Sequence, residues 1–319
     1  MSVLKSRNLK HDIEPLAAKD FLVNFVCFMG IFSTGTLLTQ YFIRYICTPS
    51  NISQSRPSSF PRCLHYVWIQ NREADQPFDL TVPQYLSILS AIKFLPSDFR
   101  IFIHTNGEFA GPLWTDVSDY ISVVPASRIF KLNDRPIMHI EHEADMVKLD
   151  VAYNTGGFFV DFDVYFTGYQ QENFLTLLDE HECIFTPFTS RSRKFLAIGN
   201  FGCKPKSSFI RRILDEYSTN YRGYKCYAPD DPIPFLYNGC LFPYLLYRKD
   251  KEFRKSVRIE TELLNIREKR SDFLNNLGKV EWKNQFNMHS GYEGREPSLS
   301  DLWSWNSSFG DLLRHIAKD

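Results

Sequence analysis

Residues 156–166 read Gly156-Gly157-Phe158-Phe159-Val160-Asp161-Phe162-Asp163-Val164-Tyr165-Phe166, two glycines and nine residues whose only charges are a pair of aspartates. An almost wholly apolar run of this length suits a strand covered on both faces, the pattern of parallel sheets sandwiched by helices. Before it, 140–154 reads as a helix with Ala144, Val147 and Val151 at i, i+3 and i+7, and the glycine pair supplies a left-handed stop. Further out, strand signals recur at 63–69, 99–104 and 120–124, and helical signals at 85–94, 207–217, 241–247 and 261–277. This alternation predicts an α/β fold with a mostly parallel central sheet. No internal repeat and no low-complexity segment follows residue 60.

Asp161 and Asp163 carry the sharpest chemical signal. Burying even one unpaired carboxylate costs several kcal/mol, so two in an apolar run require a cation. On a continuous strand, positions i and i+2 face one side, which brings both side chains together near a strand's carboxyl end, where α/β folds bind ligands. A hard divalent ion, Mn²⁺ or Mg²⁺, shared with a diphosphate fits oxygen donors of this kind. The alternative is a pair of edge carboxylates that cap a turn or meet Lys and Arg side chains.

The composition narrows the rest. The chain has 319 residues, 44% hydrophobic and 23% charged, with 37 basic and 37 acidic side chains. A zero formal charge lacks the basic footprint of a nucleic-acid binder. Seven cysteines without a CxxC or Cys/His pattern exclude a zinc module. Ser-His-Asp, P-loop and GxGxxG arrangements are missing from the sequence, which removes triad hydrolases, kinases and Rossmann dinucleotide enzymes. From 21 to 43 no residue carries a formal charge, and Lys5, Arg7, Lys10 and Lys19 precede the run. These features predict a cytoplasmic tail over 1–20, a transmembrane signal anchor over 21–43, a Ser/Pro-rich stem over 44–60 and a folded domain over 61–319. The expected location is a Golgi membrane, single-pass type II, with the C-terminal domain lumenal. Sequons at Asn51 and Asn306 would then be open to glycosylation, and one or two disulfides are expected among Cys63, Cys183, Cys203, Cys226 and Cys240, with no pairing readable.

The block from Glu143 to Lys148, followed by Tyr153-Asn154-Thr155-Gly156-Gly157-Phe158-Phe159-Val160-Asp161-Phe162-Asp163-Val164-Tyr165, resembles the "SD…R…YGGIYLDTDV" block of glycosyltransferase family 32, the DXD sugar-binding glycosyltransferases. Pro61-Arg62-Cys63-Leu64-His65-Tyr66-Val67-Trp68 is similar to that family's opening "IPKIIHYVW" strand. Ile103-His104-Thr105-Asn106 and the segment from Asn200 to Pro205 are similar to later pieces, in order. The resemblance spans roughly 61–220.

It implies a GT-A nucleotide-sugar-binding domain and a metal-dependent hexosyltransferase acting with retention of configuration. The donor would be a UDP-hexose, a UDP-N-acetylhexosamine or GDP-mannose, and the acceptor a glycan or glycolipid. Asp163 would bind Mn²⁺ (or Mg²⁺) directly, and Asp161 would contact the metal, its bound water or the donor. His289 would approach the metal and diphosphate. Trp68 would border the base, Asp145 would hold sugar hydroxyls, and Lys148, Gly157, Asn200 and Trp305 complete the donor-binding set. Where the family has Ser-Asp and then Arg, this chain has Ala144-Asp145 and Lys148, a point charge in place of a fork. Two other classes share the DXD pattern: a haloacid-dehalogenase-like phosphatase, with Asp161 as nucleophile and Asp163 as acid, and a non-catalytic membrane protein that binds sugar nucleotide without turnover.

Overall fold

A computed structural model describes residues 59–70, 77–190, 193–223, 233–265, 281–290, 298, 300 and 303–318. The expected span over 21–43 lies outside these residues, as do the tail, nearly all of the stem and Asn51. The expected Golgi type II location is corrected: among the described residues no helix is long and apolar enough to cross a membrane, and the structure does not support single-pass anchoring. At the stem's end Phe60 is already packed, 3% exposed, with its N–H donating to Asp179 Oδ1 at 3.3 Å.

The main sheet uses β1 (Cys63–Trp68), β2 (Arg100–Thr105), β3 (Ile121–Pro125), β4 (Gly157–Val160), β6 (Cys183–Ser190), β7 (Arg193–Cys203) and β8 (Val257–Ile259), in the order β8-β6-β7-β4-β1-β2-β3. Only β7 runs against its neighbours; the other pairs are parallel. A mostly parallel α/β sheet is therefore present. Helix α1 (Val82–Phe94) and helix α3 (Gln171–Glu180) cover one face, where Ile88, Ala91, Phe174 and Leu178 meet Leu64, Tyr66, Phe158 and Val160. Helix α2 (Ile140–Thr155) and helix α4 (Ser208–Thr219) cover the other, where Leu149, Ala152, Phe209 and Ile213 meet Phe159, Phe185 and Phe201. Phe158 and Val160 thus serve one core and Phe159 the other, which is why the sequence shows no polar alternation there.

The run 158–166 is not one strand. It ends as β4 at Val160, turns through Asp161-Phe162-Asp163, and resumes as β5 (Val164–Phe166) in a second sheet with β9 (Leu264–Asn265) and β10 (Asn287–His289), ordered β9-β10-β5. The turn is closed by Val164 N–H donating to Asp161 O at 3.1 Å, and tied to the main sheet by Asp161 N–H donating to Gly199 O at 2.8 Å. Two carboxylates are more easily hydrated in a turn than in mid-strand, so charge and chain reversal coincide. The helix expected over 261–277 is also corrected: Leu264–Asn265 is a strand, held by parallel pairing with Asn287 and Met288, and 266–280 lies outside the described residues.

Helix α2 stops at Gly156, φ +68°, whose N–H donates to Ala152 O at 3.0 Å. Gly157 follows at φ +117°, where a Cβ would stand 2.6 Å from His65 Nε2 and 3.0 Å from Cys63 O. A side chain there would collide with β1, so the glycine pair both ends the helix and lets β4 lie against β1. Helix α5 (Ser308–Ala317) packs against α1 through Phe309, Leu312 and Leu313, with Ser307 accepting from Gly310 N–H as its N-cap. Cys183 and Cys203, directly opposite on β6 and β7, form a disulfide.

Candidate metal and donor site

β4 ends at the sheet's carboxyl edge, and the chain leaves there for the second sheet. The turn therefore sits at the junction of the two. β10 runs antiparallel to β5 with His289 opposite Val164, and Ser290 N–H donates to Asp163 O at 2.9 Å. These contacts bring the imidazole beside the turn. Asp161, Asp163 and His289 each offer a ligand atom within 4.8 Å of the others. His289 Nε2 lies 3.0 Å from Asp163 Oδ1, yet neither buried ring nitrogen makes an aligned hydrogen bond among the described residues. A buried imidazole with spare lone-pair capacity beside two carboxylates is a donor set suited to a divalent ion. Gly199 leaves the room: a Cβ there would stand 2.0 Å from Asp161 Oδ2 and 3.2 Å from His289 Cε1. The residues present fit a metal.

Phe162 anchors the turn from within. It is buried, packs against Tyr66 with ring centres 4.8 Å apart, and meets Trp68 edge-on at 5.6 Å. Trp68, at the carboxyl end of β1, also packs on Phe78 at 4.4 Å, and its indole N–H has no acceptor among the described residues.

Lys148, in α2, is 4% exposed, and its ammonium pairs with Asp161 Oδ1. It points into the carboxylate cluster. Burial works against its charge, but Asp161 and Asp145 outweigh burial and hold its pKa above the ordinary value. Asp145, one turn earlier, accepts from Tyr217 OH at 3.1 Å. Enclosure drives its pKa up to about 6 against the pull of Lys148, with the Asp161 charge adding to the rise. Gly239, in a π-helical turn over Tyr237–Leu241, presses on the same group: a Cβ there would stand 2.7 Å from Asp145 Oδ2. π turns of this kind are frequent at functional sites.

The other residues expected to bind the donor are engaged by neighbours within the protein. Asn200 is fully buried and its amide is engaged by Asn287, each donating to the other at 3.0 Å. Gly157 meets His65, as described above. Trp305 packs edge-on to Phe309 at 5.3 Å, and its carbonyl accepts from Arg314 Nη1 at 2.8 Å. Gly199 and Tyr217 were not singled out from the sequence. A glycine inside an apolar strand does mark a close approach, whereas nothing local in the sequence marks Tyr217. Glu143 turns out to be structural, with Arg128 gripping its carboxylate through Nε at 2.7 Å and Nη2 at 2.8 Å.

No family model matches the chain. Glucan organizing enzyme 1 of Cryptococcus neoformans var. grubii is 27% identical over 109 residues, 34% of this chain and 30% of that protein's length. Glycosyltransferases are among the solved structures to which the fold is similar. The galactosyltransferase LgtC, solved with donor and acceptor sugar analogs, is 12% identical with TM-score 0.44, over 81% of this chain and 97% of that one. GlyE of Streptococcus pneumoniae TIGR4, in its apo form, is 10% identical with TM-score 0.42, over 82% and 61%. PaToxG glycosyltransferase is 13% identical with TM-score 0.40, over 69% and 80%.

Proposed function

We infer that the protein is a glycosyltransferase of GT-A type, metal-dependent and retaining, which moves a hexose or N-acetylhexosamine from a nucleotide-sugar to a glycan or glycolipid acceptor. The observation that carries this reading is the convergence of Asp161, Asp163 and His289 at the carboxyl edge of the sheet, beside Trp68. The resemblance of 143–165 to glycosyltransferase family 32 adds the donor class and the stereochemistry.

Asp163 and His289 would hold the divalent ion, with Asp161 at its side. Held there, a divalent ion would supply positive charge against the charge that develops on a departing diphosphate. The chain's own residues do the rest. Trp68 offers a ring face for the base at the mouth of β1. Asp145, whose carboxylate is fixed by Tyr217, is placed to accept from sugar hydroxyls one helical turn from Lys148. Phe162, locked between Trp68 and Tyr66, holds the turn so that the two aspartates do not reorient as substrate binds.

The test is a panel of UDP- and GDP-sugars offered to the full chain with Mn²⁺, read as nucleoside diphosphate release and acceptor glycosylation. Metal-dependent release or transfer from one donor class is expected. Hydrolysis of a phosphomonoester instead, or binding without turnover, would replace this reading with one of the two alternatives raised by the sequence.

A further inference from the structure

Lys148 occupies an unusual position for a lysine. Its ammonium is buried at the floor of the aspartate cluster, paired with Asp161 Oδ1, and the charges of Asp161, Asp145 and Asp163 all act on it. Asp161 Oδ2 is turned toward Gly199, near His289. The two oxygens of one carboxylate thus serve different masters: Oδ1 is committed to an internal cation, and Oδ2 faces the side where a metal would sit. An ammonium is a compact charge that engages one oxygen at a time, whereas a guanidinium forks across two.

Resting on the metal-site reading above, we propose that Lys148 is a positioning residue that competes with the divalent ion for Asp161. It fixes the carboxylate's orientation before the ion arrives and keeps the ion's affinity low enough for exchange. Asp161, Asp163 and Asp145 with one ammonium leave two net negative charges to attract the ion; without the lysine there would be three. Coulomb attraction in a partly desolvated site responds strongly to such a change. Lysine also leaves Oδ2 available, which a fork would not.

The experiment is Mn²⁺ titration of the full chain by calorimetry, alongside donor turnover, for the wild type, Lys148→Met, Lys148→Arg and Asp163→Asn. Lys148→Met should bind Mn²⁺ about tenfold or more tightly than the wild type while turnover falls at least tenfold, because Asp161 is no longer oriented. Lys148→Arg conserves the charge and protects the fold, yet should bind Mn²⁺ at least threefold more weakly, since its fork occupies both oxygens. In an Asp161→Asn background, replacing Lys148 by Met should change Mn²⁺ affinity by less than threefold. A residue that merely supported the fold would not raise metal affinity when removed. Unchanged or weaker binding in Lys148→Met overturns the proposal. Should that variant not fold, unchanged or tighter binding in Lys148→Arg overturns it. Absence of Mn²⁺ binding in the wild type sinks the metal site itself, and is told apart because Asp163→Asn then behaves like the parent chain.

Discussion

Asp163 and Gly199 carry the site's least replaceable atoms, for opposite reasons: one supplies a charge, the other supplies space. Asp163→Asn keeps the volume and removes the charge, so kcat/KM should fall about a thousandfold or more, the scale of several kcal/mol of electrostatic stabilisation. The wild type should melt at a higher temperature once Mn²⁺ and nucleoside diphosphate are added, and Asp163→Asn should not; a variant that keeps full metal-dependent transfer would refute the assignment. Gly199→Ala adds a methyl group 2.0 Å from Asp161 Oδ2. Overpacking of this kind costs about 1–3 kcal/mol, and the displaced carboxylate should abolish the metal-dependent shift even where the apo protein still melts cooperatively. The two aspartates were singled out by residue type and spacing, and His289 only through the family resemblance; the structure brings the three side chains together. Asp161 and Asp163 converge through a turn rather than through strand periodicity, a distinction that nine apolar-flanked residues do not display. Lys148 was legible as a cation near the site, but its partner was not: a helix position does not reveal which of two oxygen-rich neighbours, donor or carboxylate, will lie at the end of a four-carbon stem.

Among the elements, β7 joins the two halves of the site. Gly199 O accepts from the turn, and Asn200 reaches across to Asn287, two residues before His289 in β10. The reciprocal amide pair fixes where the second sheet lies against the first, and so where the imidazole stands. Asn200→Ala would strand the buried amide of Asn287, at a cost of about 1–3 kcal/mol, and should shrink the metal-dependent melting shift by loosening β10. The double variant Asn200→Ala, Asn287→Ala leaves no orphaned amide and should be no less stable than the worse single variant. Additive losses in a double-mutant cycle would show that the two amides are not coupled. Strands β1 to β4 and helices α1, α2 and α4 were readable because their apolar runs are bounded by a cap or a turn, as at Thr81, whose N–H donates to Gln84 Oε1 at 2.9 Å, whereas helix α3 and strands β6, β7 and β8 were not singled out. β9 and β10 were not readable either. Strands of two and three residues carry no period, and β10 finds its partner β5 about 120 positions away while β9 pairs only with β10.

On the scale of the whole molecule, charge is balanced but protons are not. His65 and His104 share a hydrogen bond of 3.0 Å inside the sheet. His65 stacks between Phe102 and Phe159, with ring centres at 5.3 and 4.7 Å. His142 is spanned by Tyr221 OH at 2.6 Å and Phe235 O at 2.9 Å. Burial pulls the pKa of His104 down to about 3 and that of His142 to about 4. It holds His65 well below the ordinary value, with the His104 charge adding to the effect. All three are neutral in the folded protein and protonated in the unfolded chain once the pH drops below their ordinary 6.5, so the unfolded state binds more protons and stability falls with pH. Asp145 works the other way. Raised to about 6 from 3.8, it takes up its proton in the folded state first and returns one proton's worth of the loss between those values. The difference approaches two protons, a slope of about 2.7 kcal/mol per pH unit between roughly pH 6 and 4. A domain's whole stability is only about 5–15 kcal/mol, so urea midpoints should drop steeply from pH 7.5 to 5 and acid unfolding should be complete near pH 4. His142→Gln removes one titrating group and should reduce that slope by about 1.4 kcal/mol per pH unit. Urea midpoints that stay level from pH 7.5 to 5 would mean that these imidazoles keep their protons in the core, and with them a different hydrogen-bond network behind the glycine pair.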